Sequence, residues 1–513
     1  MKVSILNFFL ITLLFSFGFI ITTCNSGKKK NSPVAFNKIK QQELNNYLND
    51  YQRIFRLPGI AVVVIKDSAV YYYTSGKSNI KNNVAFTERT LFFTGSLSEV
   101  MVANGVLRLA EMGKINLDDK VVKYLTYFKM GGHSYQHVTI KNLLTQTSGV
   151  PFHNATYDLP NFNSNALEIT TKSISTQLPL FKTPGSQVKR SPYNFDILAD
   201  LIEKVSGKTF ENFMQQEVFK PINMEDSKYN VEKIQKLNYA VPYQIANYLN
   251  FAVDTLAFYP KNREFAGSIG WHTTVKDLSK WMYSMIHNTS KENRFYLENQ
   301  EKDFFKVYYK TGPKTAVGLG WEISGENFYK RNTLGGFTSF LNLMPEKNTG
   351  IAVISNVSTD IDFQQLKYSL LQWAAGNQLP KLKTPVFLPL GDKLAQTNNI
   401  QSVFITYRDL KDSKTDSIDT SLEALSPLGF NLLYHVKQKD LGILFFDFCT
   451  KEFPSSNTAK LQLAEALIID NQFSKAKKIV DQIKTKPKAE TNAAQLNDIE
   501  ELLSVSQPKA KIN

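Results

Sequence analysis

Ser96 and Glu99 are the two residues of this chain whose types and spacing most directly suggest chemistry, and they lie in the segment Thr90–Val100. If this segment begins a helix, residues three apart lie on one face, and their side chains come within hydrogen-bond reach. A serine hydroxyl becomes an effective nucleophile when a neighbouring base removes its proton. A carboxylate with the ordinary pKa of about 4.3 is a poor base at neutral pH. Glu99 would therefore need a pKa raised by burial to activate Ser96.

Six further segments occur in an order and spacing that one known family shares. They are Leu57–Ile65, Ala103–Lys123, Val138–Gly149, Leu201–Gly207, Val317–Trp321 and Gly336–Ser339. Together they resemble the serine β-lactamase and penicillin-binding-protein family over about residues 40–375. The resemblance implies an α+β fold, a β-lactamase/transpeptidase-like arrangement of an antiparallel sheet flanked by helices plus a helical lobe. It also implies an ancestral substrate among β-lactams, D-alanyl peptides and small esters or amides.

The first two catalytic motifs of that family are altered here. In the family a lysine follows the serine nucleophile by three residues, and this chain has Glu99 after Ser96. The second motif is normally Tyr-x-Asn after a Pro-Gly turn. Counted from Pro184–Gly185, its outer positions hold Arg190 and Pro192. Both motifs therefore lack the side chains that the family uses.

The third motif is normally Lys-Thr-Gly or His-x-Gly on a strand that lines the site. Counted back from Gly336–Phe337, its first position holds Lys330 and its last holds Asn332. Lys330 fits the family pattern. Asn332 places a side chain where glycine would let a substrate approach the strand backbone.

Three hypotheses follow from these positions. In the first, Glu99 forms an ion pair with Arg190 or Lys330, and the protein is a non-catalytic binding or scaffolding protein of the cell envelope. In the second, Ser96 remains the nucleophile of a serine hydrolase acting on amide or ester bonds, with Glu99 or Lys330 as an atypical base. Its oxyanion hole would use backbone N–H groups at Ser96 and on the strand after Lys330. In the third, the site is closed and has no ligand.

Other short motifs give weaker signals. Lys310–Gly312 spells the third motif on the wrong side of Val317–Trp321, and Ser78–Lys81 and Ser186–Lys189 spell the first motif in turn-rich stretches. Such isolated matches are usually false positives. His133 and His137 have metal-ligand spacing without a third ligand nearby, so no metal and no other cofactor is predicted.

The N-terminus predicts export. An apolar run from Ile5 to Ile21 follows Lys2 and ends near Cys24. This pattern resembles a bacterial lipoprotein signal at residues 1–24, with Cys24 as the lipidated residue, followed by a tether at 25–38. The expected location is the periplasm or outer surface, with a lipid anchor in a membrane. A plain signal peptide and an uncleaved anchor helix are the alternatives.

The composition limits the classes of partner. The chain has 60 Lys and Arg against 46 Asp and Glu, a formal charge of +14, but the charges are interspersed. This pattern favours a solvated basic surface, and attraction to anionic envelope polymers or lipids is the alternative. An exported chain is not expected to bind nucleic acid. A cell-wall peptide or a small molecule is the expected ligand of the site. Apart from Cys24, Cys449 is the one remaining cysteine, so no internal disulfide can form.

The C-terminal part is predicted as a separate region. The family-like domain is assigned to residues 39–378, a proline-containing linker to 379–420 and a helical tail to 421–513. Leu428–Leu433 and Leu461–Leu467 look like equivalent helices. Each is followed by a helix that ends at a dipeptide containing one proline, and these two dipeptides are about one tetratricopeptide period (~34 residues) apart. Such a tail is typically a protein-interaction surface. The alternative is a helical hairpin that caps the main domain.

Overall fold

A nine-stranded antiparallel sheet lies at the centre of the protein. The computed structural model describes residues 38–152, 161–229, 238–256, 262–287, 303–359, 363–484 and 493–506. The strands of this sheet are β1 Gly59–Lys66, β2 Ala69–Asn79, β3 Val84–Ala85, β8 Tyr309–Lys310, β9 Thr315–Val317, β10 Glu322–Ser324, β11 Asn327–Asn332, β12 Thr338–Met344 and β13 Thr349–Ser355. They lie side by side in the order β3-β2-β1-β13-β12-β11-β10-β9-β8. The α+β fold expected from the sequence is confirmed.

The middle of the sheet is buried on both faces. In β1 the apolar run from Ile60 to Ile65 is completely buried. Ala61, Val63 and Ile65 join the core of the helical lobe, while Ile60, Val62 and Val64 pack in a second core on the opposite face. A strand covered on both faces needs apolar residues at every position, which explains the absence of alternation in this segment.

Helices cover the two faces of the sheet and form the lobe beside it. They are α1 Lys38–Ile54, α2 Ser98–Glu111, α3 Ile140–Leu144, α4 Ala166–Ser173, α5 Tyr193–Ser206, α6 Phe210–Phe213, α7 Ala266–Ile269, α8 Val275–Ile286 and α9 Gln364–Ala374. The central helix α2 is buried along nearly its whole length, from Ser98 to Leu107. Because α2 is surrounded by other elements, the residues at its N-terminal end are held in a fixed environment.

Two small sheets complete this part of the chain. The strands β4 Phe92–Phe93 and β7 His272–Thr273 pair just before the turn that contains Ser96. The strands β5 Tyr243–Asn247 and β6 Ala252–Thr255 form a hairpin, and β5 also pairs in parallel with β14 Val357–Ser358.

The segment 379–420, predicted as a linker, is largely helical. It contains α10 Phe387–Thr397 and α11 Ile400–Asp412, with a short parallel pair between β15 Thr384–Pro385 and β16 Ile418–Asp419. Pro389 lies in the first turn of α10, where a helix tolerates proline because no intrahelical N–H bond is lost. The prolines therefore mark the start of a helix rather than an extended connection.

The tail consists of helices that pack on one another in sequence order. They are α12 Leu422–Phe430 with a π-helical extension Asn431–His435, α13 Lys439–Glu452, α14 Asn457–Ile469, α15 Phe473–Lys484 and α16 Ala493–Ser506. Gly429 lets α12 approach α13, since a Cβ atom there would lie 2.5 Å from the ring of Phe446. Cys449 is buried in this tail.

The predicted signal peptide, Cys24 and most of the predicted tether lie outside the described residues. Within the part of the chain that the structure describes, no helix is both long enough and apolar enough to cross a bilayer.

Candidate active site

Ser96 lies in a tight turn that leads directly into α2. The 3₁₀ turn Gly95–Leu97 precedes Ser98, and Gly95 has a φ of +57°, which glycine adopts without strain. Thr94 fixes the turn to the sheet, because its carbonyl accepts a hydrogen bond of 3.1 Å from the Ser339 hydroxyl of β12. Ser96 thus stands at the start of a buried helix beside the sheet, as in the family it resembles.

Glu99 is almost fully buried, with its side chain 1% exposed, between two cations from different parts of the fold. Its Oε2 lies 2.5 Å from the Nζ of Lys330 on β11, and its Oε1 lies 3.0 Å from a terminal guanidinium nitrogen of Arg190, just before α5. The Lys330 side chain is 4% exposed, whereas that of Arg190 is 47% exposed. The structure therefore brings together three of the four candidate residues in one ion cluster, next to Ser96.

The cations determine the charge state of Glu99. Burial alone would raise the pKa of this carboxyl, but the Lys330 ammonium and the Arg190 guanidinium outweigh it and hold the pKa below its ordinary value. The position of Glu99 in the first turn of α2 also favours an anion. An ionised carboxylate with a lowered pKa is a weak general base.

The Ser96 hydroxyl forms no hydrogen bond with a basic side chain in the described part of the chain. Among the described residues, the Ser96 side chain makes no hydrogen bond, and the one side-chain partner of Lys330 is Glu99. An ammonium that donates to a carboxylate at 2.5 Å cannot accept the serine proton. In this arrangement the Lys330 ammonium donates its side-chain hydrogen bond to Glu99.

Asn332 fills the position where the sequence analysis expected an oxyanion hole. The Ser96 N–H donates to Asn332 Oδ1 at 3.3 Å, while Asn332 Nδ2 donates to the carbonyls of Leu334 at 3.3 Å and Phe337 at 3.2 Å. A Cβ atom on Gly95 would lie 2.0 Å from Asn332 Oδ1, so the side chain lies directly over this glycine. The Ser96 N–H, expected as a free oxyanion donor, is therefore engaged by a side chain of the same protein.

A buried amide network holds the segment that carries Arg190. Gln146, with a φ of +58°, accepts hydrogen bonds through Oε1 from the Ser191 N–H at 2.8 Å and from Asn194 Nδ2 at 2.5 Å. Ser148 donates to Asn194 Oδ1 at 2.6 Å. Tyr193, the nearest tyrosine in sequence to the second motif, is buried at the start of α5.

Asp196 is a site residue that the sequence analysis missed. It is completely buried on α5, and its Oδ1 accepts the Ser268 N–H at 2.8 Å. Its Oδ2 has no hydrogen-bond partner among the described residues. Burial, with a smaller contribution from the Glu99 charge, raises the pKa of Asp196 well above its ordinary value. The available signal was an aspartate in the otherwise apolar stretch Phe195–Ala199.

The weaker sequence motifs lie elsewhere in the fold. Lys310 is on the edge strand β8, Ser78 is on β2, and Ser186 is in the loop before α5. His133 precedes the 3₁₀ turn Ser134–His137, and His137 is the last residue of that turn. Within the described ranges, no group of three or more His, Cys, Asp or Glu side chains could hold a metal ion.

The sheet order, the buried helix that starts at a serine and the facing lysine on β11 define a serine β-lactamase and penicillin-binding-protein type of fold. The chain belongs to the Beta-lactamase family, whose profile matches residues 44–372.

Relatives and solved structures agree with this assignment. Protein flp of Staphylococcus aureus (strain COL) is 23% identical over 324 residues, which are 62% of this chain and 64% of that protein. The chain thus matches 64% of the length of this relative. PbpX of Bacillus subtilis (strain 168), a protein named for penicillin binding, is 23% identical over 67% of this chain and 82% of its own. The octameric penicillin-binding protein homologue from Pyrococcus abyssi has a similar fold, with a TM-score of 0.57, 22% identity, and coverage of 70% of this chain and 82% of that chain.

Removing Lys330 should destabilise the protein strongly. In Lys330→Met the buried Glu99 carboxylate keeps only the half-exposed Arg190, and we expect the free energy of unfolding to fall by about 3–5 kcal/mol. The double variant Lys330→Met/Glu99→Met should recover most of this loss, because apolar side chains can replace a buried ion pair. Denaturant unfolding measures both. The matched control is Arg331→Met, an exposed cation on the same strand. Equal stability of Lys330→Met and wild type would contradict a buried charge at Glu99.

Asp196 should make stability depend on pH with a particular sign. Its pKa is higher in the folded protein than the ordinary 3.8, so the unfolded chain releases this proton first as pH rises. The contribution of Asp196 to the free energy of unfolding is therefore complete when the pH is below 3.8. It decreases as the pH rises above 3.8, by at most about 1.4 kcal/mol per pH unit. We expect Asp196→Asn to remove this decline in unfolding titrations between acidic and neutral pH. The exposed Asp254→Asn should leave it unchanged, and an unaltered slope in Asp196→Asn would refute the assignment.

Proposed function

We propose that this protein is a non-catalytic binding or scaffolding protein of the cell envelope, built on a β-lactamase-family domain. The observation that carries the proposal is the ion cluster of Glu99 with Lys330 and Arg190. It occupies the place where the family keeps the base that activates serine. In enzymes whose nucleophile and base act as a unit, losing one of them can cost on the order of 10⁶ in rate.

The second support is the engagement of the Ser96 N–H by Asn332. Removing one oxyanion donor typically costs about 10²–10³ in turnover. The two changes affect separate parts of the catalytic apparatus, proton transfer and charge stabilisation. Their combination favours binding over hydrolysis.

The ligand that suits this site carries a carboxylate. Arg190 neutralises Glu99 through one nitrogen, and 47% of its side chain surface remains exposed. A guanidinium binds carboxylates through several N–H groups at once. Cell-wall peptides end in carboxylates and belong to the substrate class that the family resemblance implies, so a cell-wall peptide is the proposed ligand.

The location and the tail are further parts of the proposal. A lipid anchor at Cys24 would hold the protein at a membrane outside the cytoplasm. The tail helices α12 and α14 begin at Leu422 and Asn457, and α13 and α15 begin at Lys439 and Phe473. These starts are separated by close to one tetratricopeptide period of about 34 residues. A tetratricopeptide-like tail would bind a protein partner of the envelope.

An active serine hydrolase is the alternative function. Ser96 still begins the central helix, and Lys330 still lies on the facing strand. If a ligand drew Arg190 and Glu99 away from Lys330, the amine could approach the serine. The substrate would then be an amide or ester of the β-lactam or D-alanyl peptide type.

Covalent labelling separates the two functions. We expect residues 25–513 to show no labelling by a fluorophosphonate or a fluorescent penicillin, because no described side chain forms a hydrogen bond with the Ser96 hydroxyl and the Ser96 N–H donates to Asn332. Gel fluorescence and intact mass measure the adduct, with Ser96→Ala as the control. Labelling of wild type that disappears in Ser96→Ala would establish an activated serine and refute the non-catalytic proposal.

Ligand binding should depend on Arg190. We expect a peptide ending in D-alanyl-D-alanine to bind in calorimetry, and Arg190→Gln to weaken it at least about tenfold, the typical contribution of a charge-assisted hydrogen bond. Lys189→Gln is the matched control, since it removes an adjacent exposed cation. Equal weakening by both substitutions would indicate a general charge effect. Binding unaffected by Arg190→Gln would place the ligand away from this site.

A further inference from the structure

The turn between β5 and β6 is embedded in the C-terminal helices. Phe251 of this turn is 7% exposed and belongs to the hydrophobic core of the tail, where its ring centroid lies 5.5 Å from that of Phe387 on α10. Gly391 on the same helix allows a close approach, because a Cβ atom there would lie 2.0 Å from the carbonyl oxygen of Leu249. We call residues 248–251 the docking turn.

Polar contacts surround this apolar insertion. Arg56 forms two hydrogen bonds to the carboxylate of Asp392, of 2.8 and 2.5 Å, and a third of 2.5 Å to the carbonyl of Asn250. Asn431 Nδ2 donates to the Tyr248 carbonyl at 2.8 Å. The rings of Tyr248 and His435 stack, with centroids 3.6 Å apart. The docking turn is thus bound by α10 and by the end of α12, much as a peptide ligand would be.

The opposite end of the hairpin contacts the active-site loop. The Tyr243 N–H donates to the carbonyls of Gly336 at 3.3 Å and Asn356 at 3.0 Å. Pro242 packs against Gly336, where a Cβ atom would lie 2.2 Å from the proline ring. The Gly336 N–H in turn donates to Ser358 Oγ at 3.0 Å. The hairpin therefore connects the C-terminal helices directly to residues 333–337.

This loop, residues 333–337, holds Asn332 in place. The carbonyls of Leu334 and Phe337 accept both hydrogen bonds from Asn332 Nδ2, and Asn332 Oδ1 accepts the Ser96 N–H. We propose that the C-terminal helices position Asn332 over Ser96, by holding the β5–β6 hairpin against the 333–337 loop. This role is independent of whether the site binds or hydrolyses its ligand.

The physical basis is the weakness of the hairpin alone. Among the described residues, β14 is the one further strand in the sheet of β5 and β6. Tyr243 and Val253 pack in the core on the face of the main sheet opposite the helical lobe, so the base of the hairpin is supported there. A two-stranded hairpin is marginally stable in water without further packing. Its distal end gains that packing from Phe387, Gly391 and Asn431 of the C-terminal helices. A protein that pulled these helices away would loosen the loop and release the Ser96 N–H.

Amide hydrogen exchange on the full chain tests this coupling. Asp392→Arg opposes Arg56 with a like charge, and we expect exchange to accelerate about tenfold or more both in the docking turn and at the amides of Gly336 and Phe337. The exchanged pair Arg56→Asp/Asp392→Arg restores the ion pair but not the hydrogen bond to the Asn250 carbonyl, so exchange should be slower than in Asp392→Arg at both places. Position 56 has a φ of +53°, which aspartate adopts more readily than most residues. The exchange rates of the β1 amides should remain unchanged, which would show that the main sheet is intact.

The outcomes are distinguishable. Acceleration confined to the docking turn, with residues 336 and 337 unaffected, would overturn the proposal by showing that docking is not transmitted. Acceleration that includes β1 would indicate general unfolding, and Asn431→Ala, which removes one hydrogen bond to the docking turn, then provides the decisive comparison. If Asn431→Ala accelerates exchange at the turn and at residues 336 and 337, the proposal stands. If it accelerates exchange at the turn alone, the proposal fails.

Discussion

The buried carboxylate of Glu99 is the constraint on which the site depends. An ionised group that is 1% exposed is tolerated only with compensating charges in contact with it. The two that compensate come from different parts of the fold: Lys330 from the sheet and Arg190 from the segment before α5 in the helical lobe. Their bonds to Glu99 therefore join sheet, central helix and lobe at one point. An interaction of this kind fixes geometry more than it adds stability, because desolvation offsets much of the attraction.

The unusual residues at this point form a consistent set. The buried Glu99 carboxylate has two cations, Lys330 and Arg190, in contact with it. Burial, with a smaller contribution from the Glu99 charge, raises the pKa of Asp196 well above its ordinary value and so disfavours a second buried negative charge. Asn332 then fills the space over Gly95. The cations and the neutral groups around Glu99 are therefore compatible with its buried negative charge.

The sequence predicted the fold better than the site. Ordered segments such as Val138–Gly149 and Gly336–Ser339 were sufficient for the family and its sheet, since they specify local turns and packing. The motif positions also indicated which side chains would meet. The hydrogen bond from Ser96 to Asn332 and the burial of Asp196 could not be predicted. They depend on side-chain directions and packing between residues far apart in sequence, 236 positions for Ser96 and Asn332 and 72 for Asp196 and Ser268. The prolines of 379–420 suggested a linker because the pattern does not distinguish a helix start from an extended segment.

The position of the C-terminal helices changes how the site should be understood. A tail joined by a linker would move independently of Ser96, and its partners would matter only for location. Here Phe251 of the main domain completes the core of the tail, and Arg56 is bonded to Asp392 within it. Separating the two regions would expose that core and break those bonds together. A packed interface does not deform continuously, so a displacement of the C-terminal helices is passed on to the residues packed against them. The geometry over Ser96 is therefore a property of the whole described chain, from the sheet to the C-terminal helices.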